Sequence, residues 1–316
     1  MKHNLKITIV LLVMFLLTQF IGLVILQANP LKVTANINGT TQEVSNPYLG
    51  WIDPPEPETT QEHTDIFLKG ILPAFIVAIV LLFLLMKFKI EIILRLWFFA
   101  VVAIALFLSF LAIIKIIPWF MLSLEKAIII AAIIALPLAF LKIFRRGFLI
   151  HNFTELLIYP GIAVVFVPLL NIYTIIALLI LISLYDMWAV WKSGVMQKMA
   201  KYQIKTLKIF SGFFVPYLTK KQKAQLKKMK KSKSKNKKGM KVNVAILGGG
   251  DIIFPIITAG VMLKTFGLLS AIFVITGAAL GLGYLFFLAK KKKFYPAMPF
   301  ITSGIFIAMI LAWLIL

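Results

Sequence analysis

The chain has 316 residues, of which 61% are hydrophobic and only 14% are charged. Soluble domains carry about 25% charged residues, so this sequence lacks the polar side chains needed to cover a water-facing surface. It contains no Cys and only three His, far apart in sequence, which excludes a disulfide framework and a thiolate or His-rich metal site. The composition predicts a polytopic membrane protein with no metal and no cofactor.

Nine stretches are long and apolar enough to cross a bilayer as α-helices, which takes about 20 residues each. They are Ile7–Leu26, Phe67–Met86, Leu94–Ile114, Leu124–Leu141, Phe153–Pro168, Ile172–Trp191, Val244–Leu263, Phe266–Leu288 and Phe294–Leu316. The predicted fold class is all-α, with turns at 168–171 and 264–267 inside the two longest apolar runs. The first stretch is too long for a signal peptide and is followed by no clear cleavage site, so we interpret it as an uncleaved span.

The basic residues predict the orientation of these helices. An N-terminus inside the cell places 29 of the 34 Lys and Arg on the cytoplasmic side, as the positive-inside rule requires. The N-terminus is therefore expected in the cytoplasm and the C-terminus outside. The net charge of +23 follows from this topology and from contact with anionic lipid, because few aromatic residues interleave with the lysines of 220–241 as nucleic-acid binding would require.

The sequence divides into three parts. Residues 1–191 hold six predicted helices, 192–243 form a basic cytoplasmic loop, and 244–316 hold three further helices. The start of the loop, Met196 to Tyr217, is expected to form an interfacial amphipathic helix, followed by a disordered Lys-rich run. The outer loop from Gln27 to Asp65 is expected to be a solvated connector.

Two acidic residues stand apart from the others. Nine of the 11 acids lie in loops or near predicted span ends, whereas Asp186 and Asp251 lie inside apolar stretches, where an acid costs about 2.5–3.5 kcal/mol on insertion. Both lie a few residues from the cytoplasmic surface, so packed neighbouring helices would let the side chains meet. Two carboxyls in low dielectric hold one proton between them, with either residue as the acid, which is the charge state that an aspartic protease uses.

Small residues and prolines surround these acids. Gly248, Gly249 and Gly250 precede Asp251 and allow close backbone approach, although ordinary glycine-mediated helix packing gives the same pattern. Pro255 removes the amide that would bond the Asp251 carbonyl. Pro296 lies near the same membrane level and leaves backbone free for an extended substrate, unless it merely starts a helix.

Three motifs in order resemble those of one family. Tyr185-Asp186, Gly248-Gly249-Gly250-Asp251 and Pro296-Ala297-Met298-Pro299 are similar to the YD, GxGD and PALP motifs of the presenilin and signal peptide peptidase family. The resemblance implies an intramembrane aspartyl protease with Asp186 and Asp251 as catalytic residues. It also implies an active site and substrate groove shaped by Tyr185, Gly248, Gly249, Gly250, Pro296, Ala297, Met298 and Pro299. Met298 replaces the family's Leu with similar volume.

The resemblance also implies substrates and a location. Pro255 resembles signal peptide peptidases and archaeal homologues, whereas the expected orientation resembles presenilin, so we expect an archaeal homologue in the cell membrane. Its partners would be transmembrane helices of membrane proteins or signal peptides, together with lipid. The alternative is a proton- or cation-coupled transporter that uses the same two acids, although the sequence has no internal repeat and no cation paired with them.

Overall fold

The computed structural model describes residues 5–37, 40–88, 91–117, 123–145, 147–193, 211–217, 243–289 and 295–316. Nine helices run through these residues. They are α1 (Leu5–Ala28), α2 (Thr60–Asp65, continuing through the π-helical Ile66–Ile71 and Leu72–Lys87), α3 (Glu91–Ile116), α4 (Leu124–Phe144), α5 (Phe148–Phe166), α6 (Ile172–Trp188, continuing through the π-helical Ala189–Ser193), α7 (Gly250–Phe266), α8 (Leu268–Leu288) and α9 (Met298–Ile315).

The fold is mostly helical, in agreement with the predicted class, and two short two-stranded antiparallel sheets that were not predicted accompany the helices. One pairs β1 (Lys32–Ile37) with β2 (Thr40–Ser45) in the outer loop. The other pairs β3 (Gly212–Tyr217) with β4 (Asn243–Gly248). The outer loop is therefore more than a connector, and the Asn-Gly sequence at 38–39 between two β-branched runs is the hairpin signal that was overlooked.

Eight described helices are long and apolar enough to cross a membrane, which confirms eight of the nine predicted spans to within a few residues. The exception is the seventh, Val244–Leu263. Its first residues form β4, and α7 begins only at Gly250 and has 17 residues. Three consecutive glycines cost about 1 kcal/mol each in a helix, which favours a strand and a turn before α7.

The cytoplasmic loop also differs from expectation where it is described. Gly212–Tyr217 is strand β3, so the predicted amphipathic helix does not extend to Tyr217. Residues 194–210 and 218–242, which hold the remainder of that prediction and the Lys-rich run, lie outside the described residues. The predicted turns are confirmed, since α6 begins after an Asn171 capping box and Gly267 alone separates α7 from α8.

The helices pack around two hydrophobic clusters. One joins α1 and α5 to α6, α7, α8 and α9 and includes Phe213 of β3 and Leu247 of β4. The other joins α3, α4 and α5 with the C-terminal end of α1, so α5 belongs to both clusters. Helix α2 is peripheral and mostly exposed. Helices α6, α7 and α9 contact one another in pairs, and the two acids lie at this junction.

Candidate active site

The junction of α6, α7 and α9 brings the two predicted acids together. Asp186 lies near the end of α6 and is 9% exposed. Asp251 is the second residue of α7 and its carboxyl interacts electrostatically with that of Asp186. The sequence predicts Asp251 inside a helix, whereas the structure places it at a helix N-terminus. Within the described residues, no group of three or more His, Cys, Asp or Glu could hold a metal ion.

Asp186 is held by the start of α9. The backbone amide of Met298 donates to Asp186 Oδ2 at 3.1 Å, and the amide of Ala297 contributes a second backbone interaction. The first amides of a helix have no intrahelical acceptor and carry the positive end of the helix dipole, so they suit a carboxylate. The Pro296–Pro299 motif thus lies against the acid of the Tyr185-Asp186 motif.

The two prolines of this motif have different positions. Pro296 is buried and precedes the helix. Pro299 is the second residue of α9, where the amide that proline lacks would have no partner inside the helix. Below them, Ser183 Oγ of α6 donates to Thr302 Oγ1 of α9 at 2.8 Å, which holds the two helices together beside Asp186.

The three glycines before Asp251 are not equivalent. Gly248 ends β4, and a Cβ there would lie 3.2 Å from Asp251 Oδ2. Gly249 has no room for a side chain, because a Cβ would lie 2.7 Å from Ser211 Oγ and 2.8 Å from the Tyr159 hydroxyl. At Gly250 the nearest atom would be 3.7 Å away, an ordinary contact. Of the three positions, Gly249 is therefore the one where close packing against neighbouring side chains requires a glycine.

Sequence reasoning missed the side chain that supports α7 just after Asp251. Pro255 lies inside α7 and leaves the Asp251 carbonyl without its helical donor. Ile252 follows Asp251, and its carbonyl accepts a hydrogen bond from Gln19 Nε2 of α1 at 3.0 Å. Gln19 is buried, and its Oε1 has no hydrogen-bond partner among the described residues. The polar side-chain amide of Gln19, in the middle of the first apolar span, is the sequence signal that could have revealed it.

Tyr185 precedes Asp186, but its side chain faces α2. Its ring meets Phe75 at a centroid distance of 6.2 Å and an interplanar angle of 83°, an edge-to-face contact. Tyr185 is half-buried between the two helices. It thus connects the peripheral α2 to the helix that carries Asp186.

A polar cluster on α5 was also missed. Glu155 was expected near a span end, but α5 begins at Phe148 and Glu155 is 1% exposed, in a salt bridge with Lys142 of α4. Polar residues recur at helical spacing along this face, as His151, Glu155 and Tyr159. That spacing is the signal that could have revealed the cluster.

A bundle of apolar helices with an acid on each of two packed helices is the arrangement expected of an aspartic protease that works within a membrane. The sequence model described as signal-peptide peptidase, presenilin aspartyl protease matches residues 55–316, well over half of the chain. The chain belongs to this family. It is therefore an aspartic endopeptidase, and its apolar helices make it a multi-pass membrane protein.

Solved structures share the fold at low sequence identity. A presenilin family intramembrane aspartate protease in the C222 space group is 15% identical, with a TM-score of 0.60 over 98% of this chain and 99% of that one. A structure described in the same words in the P2 space group is also 15% identical, with a TM-score of 0.57 and 97% of each chain covered. No curated protein sequence matches.

Proposed function

We propose that the chain hydrolyses peptide bonds in or near transmembrane segments of membrane proteins or signal peptides, with Asp186 and Asp251 as its catalytic pair. The observation that carries this proposal is the packing of α6, α7 and α9, which brings the two acids and the Pro296–Pro299 motif to one junction. Carboxyl groups in contact in a low-dielectric site share one proton, which gives a general base and a general acid at once.

In each step of the reaction one carboxyl acts as the base and the other as the acid. The ionised carboxylate takes a proton from a water molecule, whose oxygen adds to the scissile carbonyl carbon while the other carboxyl protonates the carbonyl oxygen. In the second step the carboxyl that took the proton from water gives it to the amide nitrogen and the C–N bond breaks. The other carboxylate takes a proton from one hydroxyl of the gem-diol, which leaves a carboxylic acid and an amine. The pair regains its single proton, so atoms and charge balance without a cofactor.

The residues around the pair orient it and receive the substrate. The amides of Met298 and Ala297 fix the Asp186 carboxylate, and Gly249 lets the backbone before Asp251 approach α5. A helical peptide bond is enclosed by its own hydrogen bonds, so the substrate unwinds at the cut site. We assign the groove for this unwound segment to Tyr185, the Gly248–Gly250 turn and the non-helical backbone at Pro296 and Ala297.

Cleavage of a single-span reporter in defined lipid tests the assignment. Asp186→Asn and Asp251→Asn keep the side-chain volume and remove one acid–base group each, so each should lower the cleavage rate by about 10²–10⁴-fold. Asp53→Asn in the outer loop is the matched control and should cleave at the wild-type rate. Full activity in either active-site variant contradicts the proposal. Cation uptake that both variants abolish, by a chain that never cleaves the reporter, supports a transporter instead.

We further propose that the protein lies in an archaeal cell membrane with its N-terminus in the cytoplasm and its C-terminus outside. The support is the placement of 29 of the 34 basic residues on one side of the predicted topology. This orientation favours substrates whose N-terminus is outside the cell.

A further inference from the structure

One face of α5 carries polar side chains that the proposed mechanism does not use. His151, Asn152, Glu155 and Tyr159 occupy it, and they meet Lys142 of α4, strand β3 and the turn before Asp251. Glu155 and Tyr159 are 1% and 2% exposed. Buried polar and charged groups cost free energy unless they are satisfied, so a cluster of this kind in an apolar bundle calls for a role.

The deepest part of the cluster is an ion pair. Lys142 Nζ and Glu155 Oε1 form a salt bridge, and both side chains are nearly inaccessible to solvent. Only one of the two Glu155 oxygens is used in this way, since Oε2 has no hydrogen-bond partner among the described residues. Tyr159 follows Glu155 by one helical turn on α5, so it lies on the same face as the ion pair.

The same face of α5 fixes strand β3. The Asn152 side chain donates from Nδ2 to the Phe214 carbonyl at 3.0 Å and accepts from the Phe214 amide at 3.2 Å. His151 Nε2 donates to the Gly212 carbonyl at 2.8 Å. These contacts hold β3 against α5. In the β3–β4 pairing Gly212 lies opposite Gly248, so β3 in turn holds β4, which ends three residues before Asp251.

Tyr159 contacts the turn itself. Its hydroxyl lies 3.4 Å from Ser211 Oγ, directly before β3. A Cβ on Gly249 would lie 2.8 Å from that hydroxyl and 3.1 Å from Tyr159 Cε1, so the ring and hydroxyl pack against the Gly249 backbone. Tyr159 therefore lies between the buried ion pair and the proposed catalytic acid.

We propose that Tyr159 is a positioning residue for Asp251, and that Ser211 holds its hydroxyl in place beside the Lys142–Glu155 pair. The inference rests on the proposed function, in which Asp251 is catalytic. Tyr159 acts through the Gly249 backbone and touches no substrate. Its loss should therefore slow the chemical step and leave substrate binding unchanged.

Tyr159→Phe tests this with little change in packing, because the ring is kept and only the hydroxyl is lost. We expect kcat for the reporter to fall about 10- to 100-fold, as small misplacements of reacting groups do, with KM and the unfolding temperature unchanged. Tyr173→Phe, at an exposed tyrosine at the start of α6, is the matched control and should keep the wild-type kcat. An unchanged kcat in Tyr159→Phe overturns the inference, and so does a fall in kcat that follows a lowered unfolding temperature.

A coupled set of variants tests the contact directly. Gly249→Ala introduces a methyl group against the Tyr159 hydroxyl and Ser211 Oγ and should lower kcat sharply. Adding Tyr159→Phe and Ser211→Ala removes both oxygens, so the triple variant should recover part of the kcat lost in Gly249→Ala. If the reductions in kcat caused by the separate substitutions simply multiply in the triple variant, the inference is overturned.

The two proposals fail in different ways. If Asp251→Asn cleaves the reporter at the wild-type rate, the catalytic pair is wrong and Tyr159 has nothing to position. If Asp251→Asn is inactive while Tyr159→Phe matches the wild type, only the positioning role is wrong.

Discussion

Neither proposed catalytic acid forms a salt bridge with any described residue, and both lie beside backbone amides. Asp186 accepts from the start of α9, and Asp251 interacts with the backbone of Gly248. Amides offset negative charge in a low-dielectric site, but they cannot accept or lose a proton during the reaction. A lysine or arginine in their place would hold a carboxylate permanently ionised and prevent the pair from sharing a proton.

Gln19 gives a prediction at this scale. Gln19→Leu removes one buried hydrogen bond to the Ile252 carbonyl and also removes the unpartnered Oε1, so the two effects on stability oppose each other. We expect the free energy of unfolding to change by no more than about 1 kcal/mol. Cleavage should slow measurably, because the lost contact lies one residue from Asp251.

The Gln19 measurement pairs reporter cleavage with unfolding in detergent. Gln27→Leu, at an exposed position two turns along α1, is the control and should leave both quantities unchanged. Wild-type cleavage in Gln19→Leu would mean that the carbonyl after Asp251 needs no support from α1.

The charged residues of the proposed site stand out in the sequence, whereas its neutral residues do not. Asp186 and Asp251 were found because an ionisable group inside an apolar span is costly and therefore conspicuous. Gln19 and Tyr159 carry no charge, so nothing in a census of charges marks them. Glu155 was missed because the predicted span began at Phe153, five residues after the start of α5, which placed a buried acid near a helix end.

At the scale of elements, the Lys142–Glu155 pair connects α4 to α5. Lys142→Met removes the lysine from the buried Glu155 carboxylate and leaves His151 Nε2, 3.6 Å from Oε1, beside it. The free energy of unfolding should fall by about 3–5 kcal/mol. The double variant Lys142→Met, Glu155→Leu replaces both charges with apolar side chains and should recover most of that loss. Thermal unfolding of the three proteins in one detergent measures both changes. A double variant as unstable as the single one would contradict the assigned burial.

Helices α8 and α9 cross closely enough to give a matched pair of glycine variants. A Cβ on Gly277 would overlap the Gly304 carbonyl, so Gly277→Ala should force the helices apart and cost about 1–3 kcal/mol. Gly283 lies on the same helix with no atom near its missing Cβ. Gly283→Ala should therefore be neutral or stabilising by up to about 1 kcal/mol. Equal unfolding temperatures for the two variants would exclude the close crossing.

Helix positions were predictable and the strands near the site were not, for a physical reason. A membrane span must satisfy its own backbone over about 20 apolar residues, which leaves a long and unambiguous signal. Strand β4 consists of Asn243 and five apolar or small residues that continue into the next helix, so its sequence resembles the start of the span. Its conformation depends on pairing with β3, which lies beyond the loop and is invisible to local patterns.

At the scale of the molecule, the site depends on parts of the chain that are far apart. Asp186 and its Met298 partner are 112 residues apart in sequence. Gln19 and Ile252 are separated by 233. Helix α5 connects both hydrophobic clusters and contacts β3, so disturbance of either cluster can reach the turn before Asp251. The fold and the motif order were predictable from sequence, but these long-range supports required the structure.

The orientation of the whole molecule is the last property that can be tested. The sequence has no Cys, so a single introduced cysteine is a unique label. A membrane-impermeant maleimide added to intact cells should label Glu58→Cys in the exposed outer loop and should label Ser234→Cys only after lysis. The reason is the basic excess around residue 234, which the positive-inside rule retains in the cytoplasm. Labelling of Ser234→Cys in intact cells would reverse the orientation and, with it, the direction in which substrates must enter the site.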